Sequence, residues 1–389
     1  MRHDLQLSLL KELMAKLDSG TNVDAGGFRR NPTSAYTDPD RAEEEWSRFF
    51  REHPQLVGLS GDLPEPGSFV TMEDFGTPVI LSRTSDGEFT ALVNACRHRG
   101  TAVEDRDRGT TRRFTCPFHA WSYDTGGALV GLPKSDHFGE IDMECRGLHQ
   151  LPAMEHNGML WVHPDPDGSL DVRALLGDEL DDELASWDLG RMELLTVDTY
   201  DMPLNWKLAM DTFGETYHFN SLHKDTLAPA FHGNVQCYDS FGRHHRMVLC
   251  RRDLDWMRDR PEEEWDITVG ALPVYYLFPS VQLLPNQAGV QLVRAYPHQG
   301  DPGRHTSQIT FYLRPGVPKD EYILNMAERF ASVIKEEDYV AAGSSQVAAS
   351  TGAVDHFVFG RNEPALHHYH NTYREALGME PLPLLDRVD

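Results

Sequence analysis

Residues 94–133 read NACRHRGTAVEDRDRGTTRRFTCPFHAWSYDTGGALVGLP. Within this stretch Cys96 and His98 form a Cys-x-His pair, and Cys116 and His119 form a Cys-x-x-His pair. Thiolate and imidazole groups are common protein ligands for transition metals. The two pairs therefore predict a metal centre, and the domain around it must fold so that the pairs meet.

Two kinds of metal centre use two cysteines and two histidines. In a Rieske [2Fe–2S] cluster, two cysteines bind one iron and two histidines bind the other. A structural zinc site accepts the same four ligands, but zinc motifs usually place two cysteines in one pair and two histidines in the other. Each pair here is mixed, so the pattern favours a cluster held by Cys96, His98, Cys116 and His119, and with it a redox function.

The composition and the cysteine content indicate which partners the protein can bind and in which compartment it works. A net charge of −25 over 389 residues argues against nucleic acid and against an anionic membrane surface, because both attract basic proteins. Residues 5–18 have an amphipathic pattern without the features of a secretory signal, and no apolar run is long enough to span a bilayer. Three further cysteines, Cys145, Cys237 and Cys250, are expected to be free and buried. We expect a cytoplasmic protein.

The order of sequence patterns predicts an α+β protein. A helix is expected at 5–18 and another from Asp38-Pro39, with short alternating strands then running to about 162 and a Pro/Asp/Gly segment at 163–168. The later elements expected are a strand at 191–200, a helix at 205–218, strands at 244–250, 273–284, 289–297 and 305–314, a long helix from about 319 and a shorter one at 363–377. The predicted parts are an N-terminal helical segment at 1–45 that packs on the last domain, a cluster domain at 46–165 and a third domain at 166–389.

A second group of metal-binding residue types lies in the predicted helix 205–218. Asp211, Glu215 and His218 are spaced so that they share one helical face, and His223 follows five residues later. Two histidines and one carboxylate form the facial ligand set of non-haem Fe(II) oxygenases, which leaves open positions at the metal. Two such histidines alone are more often ordinary core or surface residues. The neighbouring cluster motif favours the metal site, because a one-electron donor needs an acceptor.

The third ligand of that site is expected from the late helix. Asp338 continues the apolar stripe of Phe330 and Ile334, whereas Glu336 falls on the opposite face and Glu337 is less well placed. An interior carboxylate without a basic partner is best explained by a bound cation. Asp338 is therefore the candidate ligand.

Four segments together resemble one family, the catalytic α subunits of Rieske non-haem iron oxygenases (ring-hydroxylating oxygenases). The segments are the run at 94–133, the NWK…D…E-x-Y-H-x4-H run at 205–223, the EED…Q run ending at Gln346, and the late FGRNEPALHHYH. The resemblance implies a β-rich Rieske [2Fe-2S] domain and a helix-grip (START-like) catalytic domain with an antiparallel sheet and a long C-terminal helix. It also implies mononuclear Fe(II) on His218, His223 and Asp338.

The resemblance carries expectations about activity and partners. It implies the terminal oxygenase component of a Rieske system, a homotrimer that uses O2 and electrons from a separate NAD(P)H-dependent reductase or ferredoxin to hydroxylate an aromatic ring or C–H bond of a small organic substrate. The chain has no well-placed G-x-G-x-x-G dinucleotide fingerprint, so the reductant is expected to enter through a partner.

Glu215 departs from the usual family pattern, which has Asp at this position. In the family that carboxylate bridges an iron-ligand histidine and a cluster histidine of the adjacent subunit, so Glu215 and Asp211 are candidate catalytic residues here. Carnitine oxygenases resemble this chain at Glu215. An N- or O-demethylating or C–N cleaving monooxygenase of quaternary ammonium or methylated substrates is therefore an alternative, and a Rieske electron carrier without oxygenase activity is a third reading.

Overall fold

The computed structural model describes residues 1–387, which form two compact units. The small unit comprises Phe49–Leu175 and Asp188–Glu193. The large unit comprises Met1–Arg48, Leu176–Trp187 and the chain from Leu194 onward. Both combine helices with antiparallel strands, and the predicted α+β class is confirmed.

The α-helices and strands are numbered in chain order. The α-helices are α1 (His3–Ser19), α2 (Ser34–Thr37), α3 (Pro39–Glu45), α4 (Val172–Leu176), α5 (Asp178–Ala185), α6 (Trp206–Asp211), α7 (Leu254–Met257), α8 (Ile267–Gly270), α9 (Glu321–Val333), α10 (Tyr339–Ser350) and α11 (Pro364–Ala376). The strands are β1 (Arg29–Pro32), β2 (Gln55–Leu59), β3 (Ser68–Met72), β4 (Val79–Arg83), β5 (Phe89–Val93), β6 (Arg108–Thr110), β7 (Phe114–Thr115), β8 (Ser122–Tyr123), β9 (Leu129–Gly131), β10 (Gln150–Leu151), β11 (Ala153–His156), β12 (Met159–Val162), β13 (Glu193–Met202), β14 (Phe231–Phe241), β15 (His244–Arg251), β16 (Ala271–Leu277), β17 (Val281–Pro285), β18 (Gly289–His298), β19 (Asp301–Leu313) and β20 (His356–Phe359). None of the helices in residues 1–387 is long and apolar enough to cross a bilayer.

The small unit is built from three short antiparallel sheets. Their strand orders are β10-β5-β4-β3-β6, β11-β12-β2 and β7-β8-β9. Side chains from the first and third sheets share a buried core that includes Phe69, Ile80 and Phe114. Cys96 and Cys116 belong to the same core, so the cysteines of both predicted ligand pairs lie inside this unit.

The large unit is organised around a seven-stranded sheet with the order β13-β19-β18-β17-β16-β15-β14. The run 273–284, predicted as one strand, is two strands, because Pro279 has no amide hydrogen to continue the ladder and the chain turns there. Strand β14 was not predicted, since Gly233 and Asn234 interrupt its apolar pattern. Helix α1 packs on this unit, and its Gln6 accepts a hydrogen bond from the amide of Ile267 at 2.9 Å.

The predicted helix 205–218 is wrong in length. Helix α6 ends at Asp211, and the amides of Phe213 and Gly214 donate to carbonyls three residues back, which tightens the chain into a turn. A Cβ on Gly214 would lie 2.6 Å from Leu366 and 2.8 Å from Tyr369 of α11, so the turn backs closely onto that helix. Asp211, Glu215 and His218 therefore do not share one continuous helical face.

The long helix expected from about 319 is interrupted. Helix α9 is followed by a π-helical turn, Ile334–Asp338, before α10 begins. Such a turn inserts an extra residue into the helix and occurs frequently at functional sites. Asp338 stands at its end and is buried, as the apolar stripe predicts.

The cysteines outside the two pairs differ from one another. All five cysteines are free, and Cys237 and Cys250 are buried. The expectation that all three remaining thiols are buried is wrong for Cys145, which is exposed and donates to Asp142 at 3.0 Å. The acidic, polar sequence around Cys145 keeps that segment at the surface.

Candidate metal centres

In the small unit, the two ligand pairs lie on loops of the same design. Cys96 follows β5 and Cys116 follows β7. In each loop the cysteine carbonyl accepts a hydrogen bond from the amide four residues later, Gly100 at 2.8 Å and Ala120 at 2.9 Å. Both of these later residues have positive φ, 79° and 59°, which lets the loop turn back. The matched turns bring one cysteine and one histidine from each loop to the same place.

The thiols and the imidazoles occupy opposite ends of this site. Cys96 and Cys116 are buried, whereas His119 is exposed. The rings of His98 and His119 have centroids 4.5 Å apart, and His98 stacks on Trp121 at 5.1 Å. The Nδ1 atom of His98 is buried and has no hydrogen-bond partner within residues 1–387. An inner pair of thiols and an outer pair of imidazoles, one with an orphaned nitrogen, fit a Rieske cluster.

Tyr123 supports the cysteine side of the site. Its hydroxyl accepts the amide of Arg97 at 3.0 Å and lies 3.3 Å from the sulfur of Cys96. Burial raises the pKa of the Cys116 thiol, which disfavours a free thiolate there. A bound metal would supply the positive charge that stabilises the deprotonated sulfur.

In the large unit, His218, His223 and Asp338 each present one donor atom, and the three atoms lie within 4.8 Å of one another. Oδ1 of Asp338 is 3.1 Å from Nε2 of His223 and 3.5 Å from Nε2 of His218. His218 sits on the 3₁₀ turn Tyr217–Asn220, and His223 follows it closely. The turn at Gly214, which ends α6, and the π-helical turn that ends at Asp338 thus bring together three donor atoms that fit non-haem iron.

The second ring nitrogen of each histidine is held by a carboxylate. Nδ1 of His218 contacts Glu215, and Nδ1 of His223 lies 2.7 Å from Glu337, which also accepts a hydrogen bond from Thr226 at 2.9 Å. Such contacts keep the proton on Nδ1, so Nε2 is the atom available to a metal. The sequence had suggested Glu337 only as a less favoured ligand. Its position next to Asp338 was the one sequence feature that pointed to a role at this site.

At both imidazoles the neighbouring carboxylates raise the pKa by more than burial lowers it. Burial lowers the pKa of His218, but Asp338 and Glu215 raise it to about 9. The pKa of His223 is also raised, against burial, by Asp338 and Glu337. The site therefore attracts positive charge, and a metal ion would take the place of the protons.

Asp211 has different partners. Its carboxylate accepts from the hydroxyl of Tyr36 at 2.7 Å and lies 2.9 Å from Nε2 of His370. Within residues 1–387 it makes no hydrogen bond to the three clustered donors. Asp211 thus ties α6 to α2 and α11, and its catalytic role stays a prediction.

A cavity of about 510 Å³ adjoins the three donors. Its walls are mostly apolar and include Phe213, Phe219, Phe231, Leu249, Val274 and Phe330. This volume lies in the range of small-molecule sites, and apolar walls suit an organic ligand. A few polar side chains, among them Arg251 and Gln291, also line it.

The two sites have the ligand types of an iron–sulfur protein with a second, mononuclear metal centre. Residues 53–152 match the model of the Rieske [2Fe-2S] domain, and residues 189–379 match that of the ring-hydroxylating alpha subunit catalytic domain. The chain belongs to the Rieske non-haem iron oxygenase alpha subunits. The Rieske domain implies a [2Fe-2S] cluster, and the catalytic domain of this family binds mononuclear iron.

Known proteins of this family resemble the chain in sequence and in fold. The biphenyl 2,3-dioxygenase alpha subunit of Rhodococcus jostii is 32% identical over 54% of this chain and 46% of its own length. The anthranilate 1,2-dioxygenase large subunit of Acinetobacter baylyi is 30% identical over 53% and 45%. The chain thus matches somewhat less than half the length of these relatives. The structure of the quaternary ammonium Rieske monooxygenase CntA with L-carnitine superposes with a TM-score of 0.76 at 17% identity, covering 90% of this chain and 95% of that one.

Proposed function

We propose that this chain is the terminal oxygenase component of a Rieske system. It would use O2 and electrons from a separate NAD(P)H-dependent reductase or ferredoxin to hydroxylate an aromatic ring or C–H bond of a small organic substrate. The observation that carries the proposal is the convergence of His218, His223 and Asp338 beside an apolar cavity. An electron carrier would need neither the donors nor the cavity.

Each proposed ligand set has a stated role. Cys96, His98, Cys116 and His119 would hold the cluster, and His218, His223 and Asp338 would hold the mononuclear iron. When bound, the cluster supplies single electrons and the mononuclear iron supplies O2 activation.

The chain's own residues prepare the site for substrate. Glu215 and Glu337 orient the two imidazoles, so that both Nε2 atoms face Asp338. The aromatic walls, among them Phe213 and Phe219, exclude water and hold an apolar substrate close to the three donors. Substrate positioning and water exclusion are thus built into the large unit.

The alternative is oxidative removal of an N- or O-methyl group, or C–N cleavage, in a quaternary ammonium or methylated substrate. It is supported by Glu215, the position at which this chain resembles carnitine oxygenases. The fold similarity to CntA does not separate it from ring hydroxylation, since dioxygenases have the same fold. The homotrimer and the separate reductase are likewise proposed from the family resemblance, and the cytoplasmic location is proposed from the sequence composition.

Metal and sulfide analysis, together with EPR of the reduced and anaerobically purified protein, tests the proposal first. We expect about three irons and two sulfides per chain with a Rieske signal, because both centres are filled in an oxygenase. Substrate-dependent O2 uptake with a reductase and NADH should follow.

Other outcomes have distinct meanings. About two irons and two sulfides, with no uptake of added Fe(II), would support the electron carrier. A colourless protein with zinc and no sulfide would contradict the cluster assignment altogether. Product analysis then separates hydroxylation from release of formaldehyde by demethylation.

A further inference from the structure

Arg251 stands out among the residues that line the cavity of the large unit. It is the last residue of β15, and among the described lining residues it is the one arginine or lysine. The lining carboxylates, Glu215 and Asp338, both belong to the metal-binding end. Apart from the metal-binding residues, the described lining thus carries one permanently charged cation, Arg251.

The guanidinium of Arg251 is incompletely paired. Its Nε is buried and has no hydrogen-bond partner in the described chain. Asp253, an exposed residue, lies 3.7 Å from that atom, which is too far for a hydrogen bond. Arginine stays protonated at all accessible pH values and offers donors in a planar fork that matches a carboxylate. Because Arg251 lines the cavity, an anionic oxygen group on a cavity ligand would serve as an acceptor for its guanidinium.

Aromatic rings separate Arg251 from the clustered donors. The guanidinium lies over Phe231, 5.3 Å from the ring centroid. Phe231 packs on Phe219 at 5.8 Å, and Phe219 packs on His223 at 5.6 Å. All of these side chains line the same cavity. A flat apolar body could therefore extend along the two phenylalanines, with its charged end on Arg251 and its other end beside the metal ligands.

Gln291 adds donors of the same kind. Its side-chain oxygen accepts a hydrogen bond from Asn286 at 2.8 Å, which leaves its amide hydrogens to face an acceptor. Gln291 and Arg251 thus both offer hydrogen-bond donors to a ligand in this cavity. A quaternary ammonium group is a poor match, because it carries no acceptor and is repelled by the guanidinium.

We propose that Arg251 selects an aromatic substrate that carries one carboxylate or sulfonate group. This inference rests on the proposed oxygenase function and narrows its substrate class. Arg251 is the residue that determines specificity, and Phe219 and Phe231 hold the ring.

Ligand binding to the anaerobic, iron-loaded protein tests the proposal by calorimetry. The probes are 2-naphthoate, 2-naphthalenesulfonate, the neutral 2-naphthamide and the cationic 2-naphthyltrimethylammonium. We expect the anions to bind about 10–100-fold more tightly than the amide, as a charged hydrogen bond predicts, and the cation to bind weakest. Arg251→Met should remove this preference while leaving amide binding within about threefold, and Arg251→Lys should keep part of it.

A matched control is Arg252→Met. Arg252 is the next residue, is exposed and donates to the carbonyl of Ala228 at 3.0 Å, outside the cavity lining. It should bind all four probes as the parent does. Melting temperatures show whether each variant is folded.

The failures of the two proposals are distinguishable. Equal binding of anion and amide, binding of no probe, or an anion preference that survives in Arg251→Met would overturn the role of Arg251; the last would mean that the anion binds the iron. Substrate-dependent O2 uptake with neutral or cationic probes would then still support the oxygenase. Anion binding that depends on Arg251, without O2 uptake for any oxidisable probe, would overturn the oxygenase function and leave the anion site supported.

Discussion

At the scale of single residues, Glu337 is the clearest case of a side chain that acts through another. It holds Nδ1 of His223 at 2.7 Å, and its neighbour Asp338 contributes a donor to the same cluster. We expect Glu337→Ala to weaken Fe(II) binding by about 10–100-fold, because the imidazole loses its fixed tautomer and orientation. Titration of the iron-free large-unit site with Fe(II), read by metal analysis after gel filtration, measures this.

The control for that substitution lies one residue earlier. Glu336 is exposed and outside the cluster, so Glu336→Ala should leave Fe(II) affinity unchanged. Glu337→Gln should recover part of the loss, since its amide oxygen can still accept from Nδ1. Equal affinity in Glu337→Ala and the parent would show that the surrounding packing suffices to hold His223.

The sequence could predict residues whose chemistry and spacing are local. The two Cys/His pairs and the His218/His223 spacing lie within short runs, and the apolar stripe of α9 placed Asp338 inside. The contact of Glu337 with His223 joins positions 114 residues apart, so no local pattern reports it. Arg251 was missed for a different reason: an arginine at the end of a strand is normally a surface residue.

At the scale of elements, a buried ion pair joins α3 to α6. Glu45 and Lys207 contact each other with both side chains 1% exposed, and Arg41 pairs with Glu45 at 2.9 Å. Burial lowers the pKa of Lys207 to about 8, although Glu45 opposes this shift. Buried charges of this kind are costly when one partner is removed.

We expect Glu45→Gln to destabilise the protein by about 3–5 kcal/mol at pH 7, because Lys207 loses its carboxylate partner and must either stay charged while buried or release its proton. Lys207→Met should cost less, since Glu45 keeps Arg41. The folded pKa of Lys207 is already below its usual value, so the penalty in Glu45→Gln should shrink at pH 9.5 as the amine loses its proton. Melting temperatures at the two pH values measure the effect, and a larger loss in Lys207→Met would contradict this account.

Element boundaries show where sequence patterns are sufficient. The start of α3 was predicted from Asp38-Pro39, and Asp38 does accept from the amides of Asp40 and Arg41. The end of α6 was missed, because the turn at Gly214 depends on the close approach of α11, more than 150 residues later. Caps are local, whereas such a turn is set by tertiary packing.

At the scale of the whole molecule, the chain divides into units with separate cores and separate candidate centres. Cys116 belongs to the core of the small unit, and Asp338 lies in the large unit. Domains with their own cores retain their structure independently. Loss of one metal centre should therefore leave the other filled, and this expectation joins the two ligand assignments in one experiment.

We expect Asp338→Ala to lose the mononuclear iron and all substrate-dependent O2 uptake while keeping the Rieske EPR signal. Cys116→Ser should lose the Rieske signal and the sulfide but retain about one iron per chain, because its large-unit donors are intact. Cys145→Ser, at an exposed cysteine outside both sets, should keep both centres. Retention of the mononuclear iron in Asp338→Ala would refute that ligand assignment. Loss of all iron in Cys116→Ser would show that the large-unit site depends on the cluster for its own stability.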